Sequence, residues 1–378
     1  EAAQADLAAL RQAGVQFLEP VVFDRQPVAA GWLQRIKCLL ARRPDRFLVG
    51  TDRTAALAEA LQGRMPDAVL TVWSENASNL VSTLPVPFRF TYAGNPDHKV
   101  LDARLELAER LGRVSLPGRL RNRARYAVTK AAHLQVIRRF DLMWNVAAND
   151  AADYRAAGIN ARYLQNMWPA AIHGDWEAAR DATEQTAPLK IVGNVGNLSA
   201  TGNSYGLLTM ATEIVPELRR RLGDGGFEIH LFGGGAPHPA VQRHLDDPHI
   251  KVRGFVDDLD REILSAPIFL VANNSDRFKV GHTRFLHAWS LGAAVVGFAD
   301  SALAMPEIAH GQNALLGQTP AELARHIVDL AADTAMRRRL GRSGADMVTG
   351  PFAPQRVTAQ IASDIEEHMA ASATRAGR

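Results

Sequence analysis

The order of its short apolar runs constrains this chain more than any other feature. "VQFLEPVVF", "RFLVGT", "DAVLTVWS", "PFRFTYA", "DLMWNVA" and "NARYLQN" occupy the first half, and "KIVGNVG", "EIHLFGG", "IKVRGF", "PIFLVAN", "AAVVGF" and "NALLG" the second, with longer helical patterns between them. Runs of that length read as strands, and strands that alternate with helices build parallel sheets. The expected fold is α/β, with two facing Rossmann-like, doubly wound domains. A length of 378 residues supports the division, because a single core stops growing at about 250–300 residues. The polar stretch "HGDWEAARDATEQTAPL" supplies a boundary, giving expected domains at residues 1–185 and 186–350. Residues 351–378 complete the chain with a helix over about 354–370, expected to pack back toward the first domain, and a disordered tail, "ASATRAGR". The chain opens on Glu1 and a helix ended by Gly14, where an α/β domain usually opens on a strand, so a first strand is expected to be missing.

Charge and cysteine content narrow the classes of function. Lys and Arg number 43 against 40 Asp and Glu, a net charge of +3, too small to indicate nucleic acid. Cys38 is the only cysteine, which excludes an internal disulfide and fits a reducing, cytoplasmic setting. No apolar run reaches the roughly 18–20 residues that a bilayer-spanning helix needs. The basic charge is concentrated locally. Residues 113–140, "RVSLPGRLRNRARYAVTKAAHLQVIRRF", hold Arg113, Arg119, Arg121, Arg123, Arg125, Lys130, Arg138 and Arg139 and no acid, with Leu116, Leu120, Tyr126 and Val128 interleaved. Such a segment suits an anionic membrane surface at the inner face, a lipid-linked diphosphate, or simply solvent.

In a doubly wound sheet, ligands sit beyond the carboxyl ends of the strands. "FKVGHTRFLHAWSLGAAVVGF" is such a place: a loop after strand "PIFLVAN", a helix over 283–291 stopped by Gly292, and the next strand. Thr283, Arg284, His287 and Ser290 fall on one stripe of that helix, while Phe285, Leu286, Ala288 and Trp289 point elsewhere. The helix start behind Gly281 and His282 offers free N–H groups to a phosphate. Periodicity alone fits a ligand-facing and a solvent-facing stripe equally.

"TRFLHAWSLGAAVVGFADSALAMPEIAHGQNALLG", "GNLSATGNSYGLLTMATEIVPEL" and "IKVRGFVDDLDREILSAPIFLVA" together resemble the donor-binding domain of GT-B glycosyltransferases of the glycosyl transferases group 1 superfamily, over roughly residues 189–345. The resemblance implies a nucleotide-diphosphate sugar as donor, no separate cofactor, retention of anomeric configuration and no required metal. In that superfamily two glutamates eight positions apart bind the nucleotide sugar, and those positions here are Lys279 and His287. Arg284 is placed to reach a diphosphate with its planar fork. The loop "GNVGN" lacks the Arg and Lys that relatives place there, and offers Gly196 and Asn197 instead; it does not fit G-x-G-x-x-G, which sets NAD aside. The resemblance puts Glu307 of "MPEI", expected just inside a helix begun by Pro306, against the donor sugar, and Phe255 and Val256 against the base.

The first half is then expected to supply the acceptor site for a glycan or lipid-linked substrate, in polysaccharide or glycoconjugate synthesis. "TVWSENASN" and "FTYAGNPDHK" each follow a strand and bring Glu75, Asp97 and His98 to the cleft, where a carboxylate or imidazole accepts the proton of an attacking hydroxyl. Loss of both glutamates leaves two other readings open: a nucleotide- or glycan-binding relative without turnover, and a sugar-nucleotide epimerase.

Overall fold

The computed structural model describes residues 37, 40, 57, 59–61, 63–112, 114–169, 176–181, 187–273, 279 and 282–376. The two expected strands before residue 51, the opening helix, Cys38, Arg113, Gly281 and most of the polar boundary stretch lie outside the described residues. The described residues form two compact units, one within Glu1–Ala93, Ala127–Met143 and Ala157–Asn160, the other within Gly94–Tyr126, Trp144–Ala156 and Ala161–Arg378.

Among the described residues ten strands occupy runs marked in the sequence: β1 Ala68–Val72, β2 Phe88–Ala93, β3 Leu142–Asn145, β4 Ala161–Tyr163, β5 Leu189–Asn194, β6 Phe227–Phe232, β7 Ile250–Gly254, β8 Ile268–Val271, β9 Ala294–Phe298 and β10 Leu315–Gly317. They make a four-stranded sheet, β1-β2-β3-β4, and a six-stranded sheet, β10-β9-β8-β5-β6-β7. Every neighbouring pair of the larger sheet runs parallel. The helices are α1 Glu75–Val81, α2 Asp97–Arg110, α3 Leu116–Ile137, α4 Ala148–Ala156, α5 Trp176–Asp181, α6 Thr201–Thr209, α7 Val215–Leu222, α8 Pro239–Gln242, α9 Leu259–Leu264, α10 His282–Ser290, α11 Ser301–Ala304, α12 Pro320–Ala332, α13 Thr334–Thr349 and α14 Pro354–Ala376. A π-type turn at Met210–Ile214 joins α6 to α7.

The six-stranded sheet is apolar on both faces, as a parallel sheet covered by helices must be. Successive residues of one strand enter different cores: Ile191, Leu231, Ile268 and Leu270 belong to one cluster, Val192, Phe232, Phe269 and Val271 to the other. Trp289 and Phe285 of α10 anchor the second cluster, both fully buried, and each such side chain contributes about 1.5–3 kcal/mol by leaving water. Gly292, at φ 61°, ends the helix where expected, and a Cβ there would stand 2.0 Å from the Trp176 ring.

The backbone from Pro354 to Ala376 is helical. One local expectation is corrected. Pro306 and Glu307 lie in a turn after α11, not inside a helix that Pro306 begins.

Candidate functional site

The order of the larger sheet creates the site. From the neighbouring strands β5 and β8 the chain winds outward in opposite directions, so the loops leaving their carboxyl ends diverge and leave a crevice at the switch point. The loop after β5 turns through Gly196, at φ 95°, and a pocket of about 640 Å³ opens there. Gly196, Asn197, Gly233, Phe255, Val256 and Leu259 are among its lining residues. Gly233, at φ 128°, has no space for a side chain, since a Cβ would stand 1.8 Å from the Gly196 carbonyl oxygen. Glycine is what lets the β5 and β6 loops close on one another. Phe255 presents its ring to solvent at 84% exposure. An aromatic left that open at a pocket mouth has a face to offer a flat ligand.

Arg284 stands behind this pocket. Its Nε donates to the Val195 carbonyl at 3.2 Å, and its Nη2 donates to Asn203 Oδ1. Asn203 in turn donates to the Asn197 carbonyl and receives 2.8 Å from Asn273 Nδ2, which ties the loops after β5 and β8 to one guanidinium. Burial pulls the Arg284 pKa down to about 10, so the group stays charged at neutral pH. Among the described residues it has no carboxylate partner, only these neutral oxygens. Asn194, the last residue of β5, is 1% exposed, and its Nδ2 makes no hydrogen bond among the described residues. The junction thus carries a half-buried positive charge and an unfilled amide donor among the described residues, a combination suited to an anion.

The other members of the stripe have different surroundings. His287 Nε2 is 2.7 Å from Asp260 Oδ1, and its ring lies 5.5 Å from that of Trp168. Ser290 is buried and donates to the His287 carbonyl, so it caps backbone rather than facing a ligand. Thr283 is half-buried in the first turn; His282 begins the helix, and its side chain lies outside the described residues. Lys279 Nζ is 2.5 Å from Asp300 Oδ2, from the loop after β9. Glu307 accepts from Tyr163 Oη at 2.7 Å and from Gln165 Nε2 at 2.9 Å. Its loop is fixed by Asn313, whose Nδ2 donates to the Glu307 carbonyl and whose Oδ1 accepts from Ala309 N, each at 2.9 Å.

The residues named for the first half divide between the two units, Glu75 in one and Asp97 and His98 in the other. Glu75 opens α1 behind the N-cap Ser74, with Oε2 3.4 Å from His133 Nδ1. Asp97 and His98 open α2; Asp97 is exposed, whereas His98 is 3% exposed and packed against Tyr126 with ring centroids 6.1 Å apart. A base must touch the attacking hydroxyl, and an enclosed imidazole is poorly placed to do so. Lys99, beside them, is held by Asp150 and Asp153; burial works against its charge, but the two carboxylates raise its pKa overall.

Asn194 and Asn203 stand out in the sequence as neutral donors of the loop after β5, whereas nothing local marks Asn273, Tyr163, Gln165, Asp260 or Asp300. The run "GGG" at 233–235 was the one local signal for the pocket's second wall.

Residues 189–333 match the family described as Glycosyl transferases group 1. No curated protein sequence matches the chain. Among solved structures, sucrose-phosphate synthase from Thermosynechococcus elongatus is similar over 93% of this chain and 86% of its own, with a TM-score of 0.61 at 16% identity. Anabaena HepE, solved with UDP-glucose, is similar over 83% of this chain and 82% of its own, with a TM-score of 0.56 at 13% identity. S. aureus TarM, solved with UDP, fondaparinux and α-GlcNAc-glycerol, covers 82% of this chain and 58% of its own, with a TM-score of 0.55 at 10% identity. The parallel sheets and these likenesses establish the GT-B fold, and residues 189–333 carry the domain of the group 1 glycosyl transferases, a family whose general chemistry is glycosyl transfer.

Proposed function

We propose that the protein transfers a sugar from a nucleotide-diphosphate donor to a hydroxyl of a glycan or lipid-linked acceptor, in the cytoplasm, with retention of configuration and without a metal. The observation that carries this reading is Arg284: a half-buried guanidinium that, among the described residues, is held only by neutral oxygens, at the switch point of a parallel sheet, beside a pocket of about 640 Å³. In this reading the diphosphate supplies the missing negative charge. The base lies against Phe255 and Val256, and Gly196 and Asn197 let the backbone approach the phosphates. Glu307, oriented by Tyr163 and Gln165, accepts from the hydroxyls of the sugar. As the acceptor attacks, charge grows on the departing diphosphate, and a guanidinium already desolvated and fixed stabilises it without reorganising. Lys279, held by Asp300, lies on the sugar and phosphate side. Asp97, at the start of α2, is the exposed candidate for the acceptor side, with Glu75 as its rival.

The test is a panel of nucleoside diphosphates and nucleotide sugars. Binding to the native state alone raises thermal stability, so one member should raise the melting temperature, and the matching nucleotide sugar should release its diphosphate when an acceptor is present. Binding without turnover would indicate a binding protein on this fold, and conversion of the nucleotide sugar without acceptor an epimerase. No stabilisation by any member at millimolar concentration would defeat all three readings.

A further inference from the structure

α3 presents a surface that glycosyl transfer leaves unused. From Leu116 to Arg125 the helix divides by its turn. Gly118, Asn122 and Tyr126, spaced i, i+4, i+8, form the half-buried face. On the opposite side Leu116 and Leu120, one turn apart, stand in water at 75% and 67% exposure. Arg119 and Arg123 border these leucines on one flank; Arg121 lies on the other, beyond the exposed Ala124. Among the described residues no carboxylate pairs with Arg119, Arg121 or Arg123, and the helix has no acidic residue at all.

We propose that this stretch of α3 lies flat on an anionic bilayer, the leucines entering the boundary between headgroups and acyl chains and the arginines meeting lipid phosphates. Two features select a bilayer. A soluble polyanion requires charge alone, and would leave two leucines exposed at the centre of the contact. A lipid surface buries them, while the long arginine stems keep their guanidinium groups at headgroup level. Charge and apolar surface point the same way, so each strengthens binding that neither secures alone. No described helix is long and apolar enough to cross a membrane, so attachment through α3 is reversible and sensitive to salt.

Sedimentation of the full chain with vesicles tests this. Vesicles of phosphatidylcholine with about one-third phosphatidylglycerol should carry the protein down at low salt, and pure phosphatidylcholine should not. Replacing Arg119, Arg121 and Arg123 together by Gln should weaken sedimentation by about tenfold or more. Replacing Leu116 and Leu120 by Ser should weaken it at every salt concentration, with no loss of melting temperature, because these side chains are exposed. In a Leu120→Trp variant, emission should shift to the blue on adding anionic vesicles and not on adding heparin. Failure of the unaltered chain to sediment, or equal sedimentation by the leucine pair variant, overturns the proposal. Heparin binding without vesicle binding would replace the bilayer with a soluble polyanion.

Discussion

Arg284 and His287 lie one turn apart on the same helix, yet they have opposite electrostatic fates. His287 lies against Asp260, and Lys279, in the loop before the same helix, lies against Asp300. Arg284 is likewise half-buried and, among the described residues, meets only a backbone carbonyl and an amide oxygen. A surface cation loses little without a partner, because water solvates it. A buried one is expensive unless an anion comes to it. Helical spacing puts both groups on one stripe, but the loops opposite decide which meets a carboxylate and which, among the described residues, meets neutral oxygens alone.

Lys279→Glu strikes the neutralised side hardest. It sets a second carboxylate against Asp300 in a half-buried setting, and stability should fall by about 1–3 kcal/mol, the range for an unsatisfied buried polar group. A melting curve reads this directly. If the site also faces the donor's phosphates, nucleotide affinity should fall with it; unchanged affinity would place Lys279 outside the donor site.

Asp260→Ala leaves His287 without its acceptor and should cost about 1–2 kcal/mol of stability, while nucleoside diphosphate binding drops far less than on loss of Arg284. An equal loss of binding would erase the distinction between the two positions. Phe255→Ala touches only the open mouth of the pocket. The ring is exposed, so the melting temperature should hold, and affinity for the nucleoside portion should weaken by about 0.5–1.5 kcal/mol, as for a lost aromatic stack.

The smallest effect is pH dependence. His230 and His326 are both held below the ordinary value of 6.5, chiefly by burial, with Lys190 adding to the effect at His230 and Arg325 at His326. The unfolded chain therefore takes up these protons more readily than the native protein. Their share of stability is full above 6.5 and declines as the pH falls below it. Melting temperatures should drop modestly between neutral pH and pH near 5, and replacing either histidine by Gln should flatten that slope.

The sequence shows the strands far more clearly than it shows this contrast. Apolar runs bounded by glycines and polar residues mark β1 to β10, because the core that fixes them is a property of each run. The Asn- and Gly-rich loop after β5 is equally plain in "GNVGN". Charge partners are another matter. Asp260 lies 27 positions from His287, Asp300 lies 21 from Lys279, and Tyr163 lies 144 from Glu307. Only the folded sheet brings such pairs together, and no local pattern announces them. Likewise Ser290 shares the stripe of Arg284 but turns back on its own helix, a choice that spacing alone leaves undetermined.

Calorimetry on Arg284→Met tests the central claim most directly, since methionine keeps the volume and removes the charge. The free protein should lose no more than about 1–3 kcal/mol, the range for acceptors left without their donor, with removal of a charge that has no carboxylate partner working in the opposite direction. Nucleoside diphosphate binding should weaken by about 1.5–3 kcal/mol, the range for a hydrogen bond to a charged group, with the nucleoside itself nearly unaffected. A variant that binds the diphosphate as tightly as the parent, and melts well below it, would show that the half-buried guanidinium serves the fold and not a ligand.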